Sequence, residues 1–469
     1  MEGWVKNVLE AERKKRNIPL EVKKLNNNYY LYRSTTRWDK KSQKVKKVTE
    51  YIGRMTPKGV IDKKSKLEIR SVYEYGNSEF LYRLSEDIIK QLKFSFYDNW
   101  EQIIACAIVK TLHPLPLHLI QSQWEKLHIS QKISAALSPN SLSTMLRKIG
   151  SDYYSQKEFF DALLTSSKLL AFDLSYIFSY SENLNYAEKG YNSKHRYLKQ
   201  VNILLFFSID KQIPVLMRPV PGSIREIKTI KSIIDELNGI NTIIVLDRAF
   251  SGYQVQDLLM EKDLDFIIPL KKNFKIIDYN LCLKDSFIYN KRGIKCSKKQ
   301  IKKKFLYLFE DVHLRSEEET NFIELMEEGK RSQKDYEKAL KSFGKIAIMS
   351  NLDLPGKKIF LMYKDRVNIE LAFDTLKNEL ENDKSYLGDD DAIRGYFFIS
   401  FISLLLHYKI MNLLKEKDLT GTISVNEVLL EMSKVYQINI GDKSKFSPVP
   451  RKTWKLENQL GLDIFPKKL

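Results

Sequence analysis

A chain of 469 residues with 43% hydrophobic content is long enough to bury substantial cores, and its length points to two to four domains. A formal charge of +19 and a pI near 9.4 point to a polyanionic partner, nucleic acid first and an anionic membrane as competitor. Three cysteines (Cys106, Cys282, Cys296) without CxxC spacing and six histidines without ligand spacing exclude a disulfide framework and a zinc site. Met1-Glu2-Gly3-Trp4 runs straight into charged residues, so no secretory signal is expected and the cytoplasm follows.

Residues 1–70 carry 20 Lys/Arg against 8 Asp/Glu, which marks residues 1–75 as a basic region expected to meet DNA phosphate. Within it, Tyr29–Arg33 and Val45–Ile52 read as a two-stranded hairpin joined by a Lys-rich turn at 39–44. Its alternative is a solvated hairpin in a Lys-rich proteome. Residues 76–168 read as helical and as a second DNA-end-binding region, with Trp100–Leu112 and Ser141–Ile149 clearest. Leu137-Ser138-Pro139-Asn140-Ser141 suggests a helix-turn-helix type of turn with Ser141 as helix cap.

From 169 onward the pattern changes. Apolar runs of strand length fall at 169–179, 201–209 and 213–220, then at 242–247 and 265–270, with helices expected at 224–238 and 252–263. Asp173 lies in the first run and Asp247 closes the fourth. Residues 273–357 form an expected insertion subdomain, mainly β. The stretch between Asp247 and Glu370 carries a basic segment (12 Lys/Arg against 2 acids over 271–304), an acidic one near Glu317–Glu328, and strand-like runs at 345–349 and 358–362. Tyr396–Leu406 is too short and interrupted to span a bilayer and reads as a buried helix, and residues 416–469 read as a helical tail.

The most specific pattern is Tyr363-x2-Arg366-x3-Glu370-x6-Lys377. On one α-helix these four side chains share a sector about 60° wide, with Ile369, Phe373, Leu376 and Leu380 on a neighbouring core-facing side. A charged stripe alone reads as a solvated helix face. These residues, however, also resemble the Y-(2)-R-(3)-E-(6)-K signature of bacterial and archaeal insertion-sequence transposases with a DDE triad. The likeness extends to Gly190–Arg196 with Gln200-Val201, to Pro221-Gly222-Ser223, to Asp247-Arg248-Ala249-Phe250, and to Ile393-Arg394-Gly395-Tyr396. It covers about residues 25–415, and Ser175 supplies the hydroxyl that many members carry two positions after the first Asp.

The resemblance implies an α/β, ribonuclease-H-like mixed sheet with helices, in two parts at 169–272 and 358–415. Its first and fourth strands would lie side by side and bring Asp173 to Asp247, and a later helix would add Glu370. Three convergent carboxylates need a divalent cation, and oxygen-only ligands point to two Mg²⁺ or Mn²⁺ ions. Tyr363, Arg366, Lys377 and Arg248 would hold DNA phosphate, and His195 is as readily structural as near the site. The implied activity is cut-and-paste transposition, by phosphodiester hydrolysis and strand transfer at terminal inverted repeats and target DNA, in a homodimer on DNA. A nuclease with the same core that never joins strands, and a co-opted DNA-binding derivative, are the rivals.

Overall fold

The computed structural model describes residues 2–39, 43–63, 69–190, 198–224, 226–237, 239–381, 384–385 and 387–465. His195, most of Gly190–Arg196 and part of the 39–44 turn lie outside these residues. The chain divides into two compact units, one of residues 1–71 with 439–444, the other of 72–438 with 445–469.

The smaller unit is more than the expected hairpin. Helix α1 (Gly3–Arg16) precedes four antiparallel strands in sequential order, β1 (Leu20–Leu25), β2 (Asn28–Asp39), β3 (Lys44–Thr56) and β4 (Gly59–Asp62). Val5, Leu20, Tyr29, Leu31 and Met55 form its core, a small one that the alternating strands supply with every second side chain.

The larger unit opens with helices, among them α2 (Trp100–Leu112) and α3 (Pro139–Ser151). The cap of α3 is Ser138, whose hydroxyl accepts from the Ser141 amide, and not Ser141 as expected. Pro139 at the first helical position explains the shift, because its missing N–H costs nothing there.

The sheet begins with β5 (Leu169–Ser179), β6 (Lys199–Ser208) and β7 (Ile213–Pro221), a three-stranded antiparallel meander. β8 (Ile243–Val245) then pairs parallel with β5, and β9 (Asp265–Pro269) parallel with β8. First and fourth strands are thus neighbours, as the ribonuclease-H-like reading requires.

The insertion does not stand apart from this sheet. Its strands β10 (Asp285–Tyr289), β11 (Arg292–Ile301), β12 (Lys304–Asp311) and β13 (Lys345–Ser350) extend it through β13, which runs antiparallel beside β9. The acidic segment forms the helix Val312–Glu327. The run at 358–362, expected as a strand, lies in α4 (Gly356–Lys364), where the adjacent buried pair Ile359 and Phe360 suits a helix face and not a half-buried strand. The tail beyond 416 is helical only in part, since it carries strands Tyr436–Ile440 and Lys443–Phe446.

After α5 (Val367–Asp374) comes the long helix α6 (Asp390–Glu416). It is long and apolar enough to cross a bilayer, yet 78% of its most apolar window is buried inside the protein. Its motif glycine explains how closely it packs. A Cβ on Gly395 would fall 2.0 Å from the Leu146 carbonyl oxygen, and one on Gly150 1.7 Å from that of Asp391, so α3 and α6 cross backbone to backbone.

His407 of α6 is 4% exposed, and burial pushes its imidazole down to about 4. Glu379 lies 3.6 Å away but is itself 41% exposed, too well hydrated to offset that burial. Because the unfolded chain takes up the proton near pH 6.5 and the folded one near 4, stability falls as pH drops through that window. Chemical denaturation from pH 7.5 to 4 is expected to show a loss of about 3 kcal/mol in the parent that His407→Gln lacks.

Candidate active site

Asp173 sits mid-strand in β5, and Asp247 two residues beyond the end of β8. The parallel register Val245↔Ala171 brings them level, each two residues past the pair. Both also serve local roles. The Asp173 Oδ1 accepts from the Leu174 amide at 2.8 Å, and Asp247 caps the turn Arg248–Phe250 by accepting from the Ala249 amide at 3.2 Å.

The third carboxylate comes from α5. The Tyr363–Lys377 segment is not the single α-helix that the spacing suggests: α4 ends at Lys364, α5 starts at Val367, and Thr375–Glu379 is a π-turn. Arg366 occupies the junction. The break lets its side chain turn inward, 12% exposed, where Nη1 lies 3.2 Å from Asp173 Oδ2 and Nη2 3.3 Å from Asp247 Oδ1 while also bonding Glu370. One guanidinium thus joins carboxylates from three stretches of chain. A π-turn commonly marks a functional segment, and here it carries Lys377, whose Nζ donates to Ser175 Oγ at 2.6 Å and lies 4.8 Å from the Tyr176 ring centroid.

Tyr363 is half-buried beside this group, its phenol raised by burial above all, with Arg366 and Arg248 opposing. Arg248 is exposed at the turn after β8. All seven residues expected at the site therefore lie on its three contributing segments. Arg366 differs from expectation in its partners, since it faces all three acids and not only its helical neighbour.

The electrostatics are unbalanced. Asp173 is pushed up to about 6, chiefly by burial, with Arg366 and the Leu174 amide pulling down and Asp247 and Glu370 pushing up. One cation among three acids leaves negative charge uncompensated. Among the described residues no three His, Cys, Asp or Glu side chains converge closely enough to share one ion, the guanidinium standing between them.

Other motif residues build the surroundings. Gln200 donates to Asn202 and to the Gly222 carbonyl, and Glu188 accepts from the Ser223 amide, so the 188–190 and 221–223 segments are tied together. A Cβ on Gly222 would fall 2.1 Å from the Gln200 carbonyl oxygen. Arg394 donates to the Gly150 carbonyl and to Tyr186 Oη, each at 2.9 Å. Sequence reading missed Tyr186 and Asn185, which anchor to Asp390 and Arg394 at the start of α6, because contacts 200 residues apart leave no local signal.

Residues 170–406, just over half of the 469, match the family model described as a transposase DDE domain. Among solved structures, a chain of the piggyBac transposase synaptic complex with hairpin DNA is similar at 10% identity, with a TM-score of 0.42 over 84% of this chain and 86% of that one. A chain of the Mos1 transposase paired-end complex with left transposon end is similar at 13% identity and a TM-score of 0.16, over 44% of this chain and 61% of that one. Comparison with curated proteins gave no match.

A carboxyl raised from 3.8 to about 6 on folding disfavours the folded state once ionised, so stability falls as pH rises through that window. In EDTA at pH 7, Asp173→Asn is expected to stabilise the protein by about 1–3 kcal/mol over the parent, and the gain should vanish near pH 4. Thermal and denaturant unfolding at the two pH values measure it, and a variant less stable at pH 7 would show that the Asp173 charge is well compensated.

Proposed function

The chain belongs to the transposase DDE-domain family, and from that membership we propose that Asp173, Asp247 and Glu370 are the acidic triad of an insertion-sequence transposase of the Y-R-E-K type. The observation that carries this reading is the meeting of three acids, from β5, the end of β8 and α5, around Arg366. A structural ion pair needs one acid for one base. Three acids on one guanidinium describe a site built to be neutralised by something further.

Divalent ions suit that need. The donor set is oxygen only, which favours Mg²⁺ or Mn²⁺ over softer metals, and the raised Asp173 carboxyl indicates charge in want of a cation. When bound, two such ions supply Lewis-acid activation of water or a 3′-hydroxyl and stabilise in-line attack on a phosphodiester.

The chain's own residues would position the DNA. Arg366 gives up carboxylate partners to a backbone phosphate, whose paired oxygens match its fork. Lys377, held near the site by Ser175, adds a point charge, the Tyr363 phenol donates a hydrogen bond, and exposed Arg248 contacts the neighbouring phosphate. The basic residues of 1–75, and the helical region of 76–168, would hold the double-stranded element ends. The reaction is hydrolysis at the terminal inverted repeats and then joining of the freed 3′ ends to target DNA, in a homodimer that pairs the two ends. On this reading the protein works on the chromosome in the cytoplasm.

The test is cleavage of a supercoiled plasmid carrying the gene with its flanking sequence, in Mg²⁺. Asp173→Asn, Asp247→Asn and Glu370→Gln are each expected to abolish end cleavage and joining while DNA retention in a gel is kept. Cleavage that persists in any one of them removes that residue from the triad.

A further inference from the structure

β2 and β3 run on together past the strands that support them. β1 pairs with β2 only as far as Leu20↔Arg33, and β4 pairs with β3 only from Gly53 onward. The pairs from Ser34↔Thr49 to Asp39↔Lys44 therefore form a ribbon of two strands, roughly 20 Å long at about 3.4 Å per residue. Just before it departs, the register shifts between Leu31 and Tyr32, leaving Ile52 as the extra residue on β3. Such a bulge sharpens the twist and re-aims the strands beyond it. At the same level a Cβ on Gly53 would fall 2.2 Å from the Ile61 carbonyl oxygen, so the sheet is drawn tight where the ribbon leaves it.

The composition of the ribbon works against its own stability. Trp38 and Val45 face each other on one side, 58% and 61% exposed. On the other side Arg37 stands directly opposite Lys46, a like-charge pairing that costs free energy. Asp39 pairs with Lys46 and Glu21 with Lys47, and among the described residues Arg37 has no acidic partner. Two strands alone are marginal in water. Lys47 shares the Trp38–Val45 side and Val48 the Arg37–Lys46 side, so the exposed ribbon presents cations and apolar groups together, the surface of a ligand for a polyanion that also offers apolar contacts.

The major groove of duplex DNA meets both demands. It is about 12 Å wide and 8.5 Å deep, admits a two-stranded ribbon, and presents guanine acceptors for Arg and Lys as well as thymine methyl groups for apolar side chains. The deep, narrow groove of duplex RNA does not admit it. We propose that residues 34–39 and 44–49 insert into the major groove of duplex DNA, the Arg37–Lys46 side on base-edge acceptors and the Trp38–Val45 side against the methyl groups and sugars of the groove wall. This rests on the transposase reading and adds to it the surface that selects sequence.

The full-length protein is used to select from a pool of random-sequence DNA duplexes at fixed salt, beside Arg37→Ala and Trp38→Ala, whose side chains are too exposed to disturb the fold; thermal unfolding checks this. The parent is expected to enrich one sequence and to lose binding when a guanine N7 within it is methylated. Arg37→Ala should weaken that site roughly 5- to 150-fold, change an unrelated duplex less than about twofold, and lose the methylation effect. If Arg37→Ala and Trp38→Ala keep the site and its methylation pattern, or weaken all duplexes alike, the groove assignment is wrong. A parent that retains no duplex at all overturns the transposase reading beneath it as well.

Discussion

Carboxylates drawn together at the edge of a protein core repel one another and lose hydration, and in this chain Arg366 is what allows Asp173, Asp247 and Glu370 to be neighbours. The arrangement depends on a break in the helix. An unbroken α-helix through Tyr363–Lys377 would leave Arg366 beside Glu370 as an ordinary surface pair. The junction between α4 and α5 turns it inward, where it meets Asp173 of β5 and Asp247 just beyond the end of β8.

The rest of the larger unit serves to hold those strands in register. β5 is gripped by β6 on one side and β8 on the other, with apolar faces that bury Phe172 against Phe206 and Phe250. A parallel pair needs a crossover, and the segment from β7 to β8 provides it, so Asp247 reaches Asp173 only after the 73 residues between them have packed. The close glycine contact between α3 and α6 locks the helical layer onto that frame. Asp173 is accordingly held at a position unfavourable for an ionised group.

The insertion illustrates how much a local pattern can carry. Its strand-like runs and its basic and acidic blocks are visible in sequence, and four strands do form there. That they lengthen the main sheet through β13 is a matter of which edge was left open, and β9 offered one. The 358–362 run became helix for a similar reason: its alternation is short, and Pro355 with Gly356 starts a helix whose buried face already has a core to meet.

By itself, the sequence determined the elements with strong periodicity: the strands at 169–179, 201–209 and 213–220, the buried helix after Ile393, and the basic surplus at the N-terminus. It also determined that Tyr363, Arg366, Glu370 and Lys377 sit at their fixed spacing, since side-chain chemistry and short-range periodicity are properties of the chain. Tertiary structure alone decided the helix break at Arg366, its sharing among three acids, the union of the insertion with the main sheet and the unsupported length of the β2–β3 ribbon. Each of these depends on a partner distant along the chain, and the free energy of a contact is set by what packs against a residue, which no local window contains.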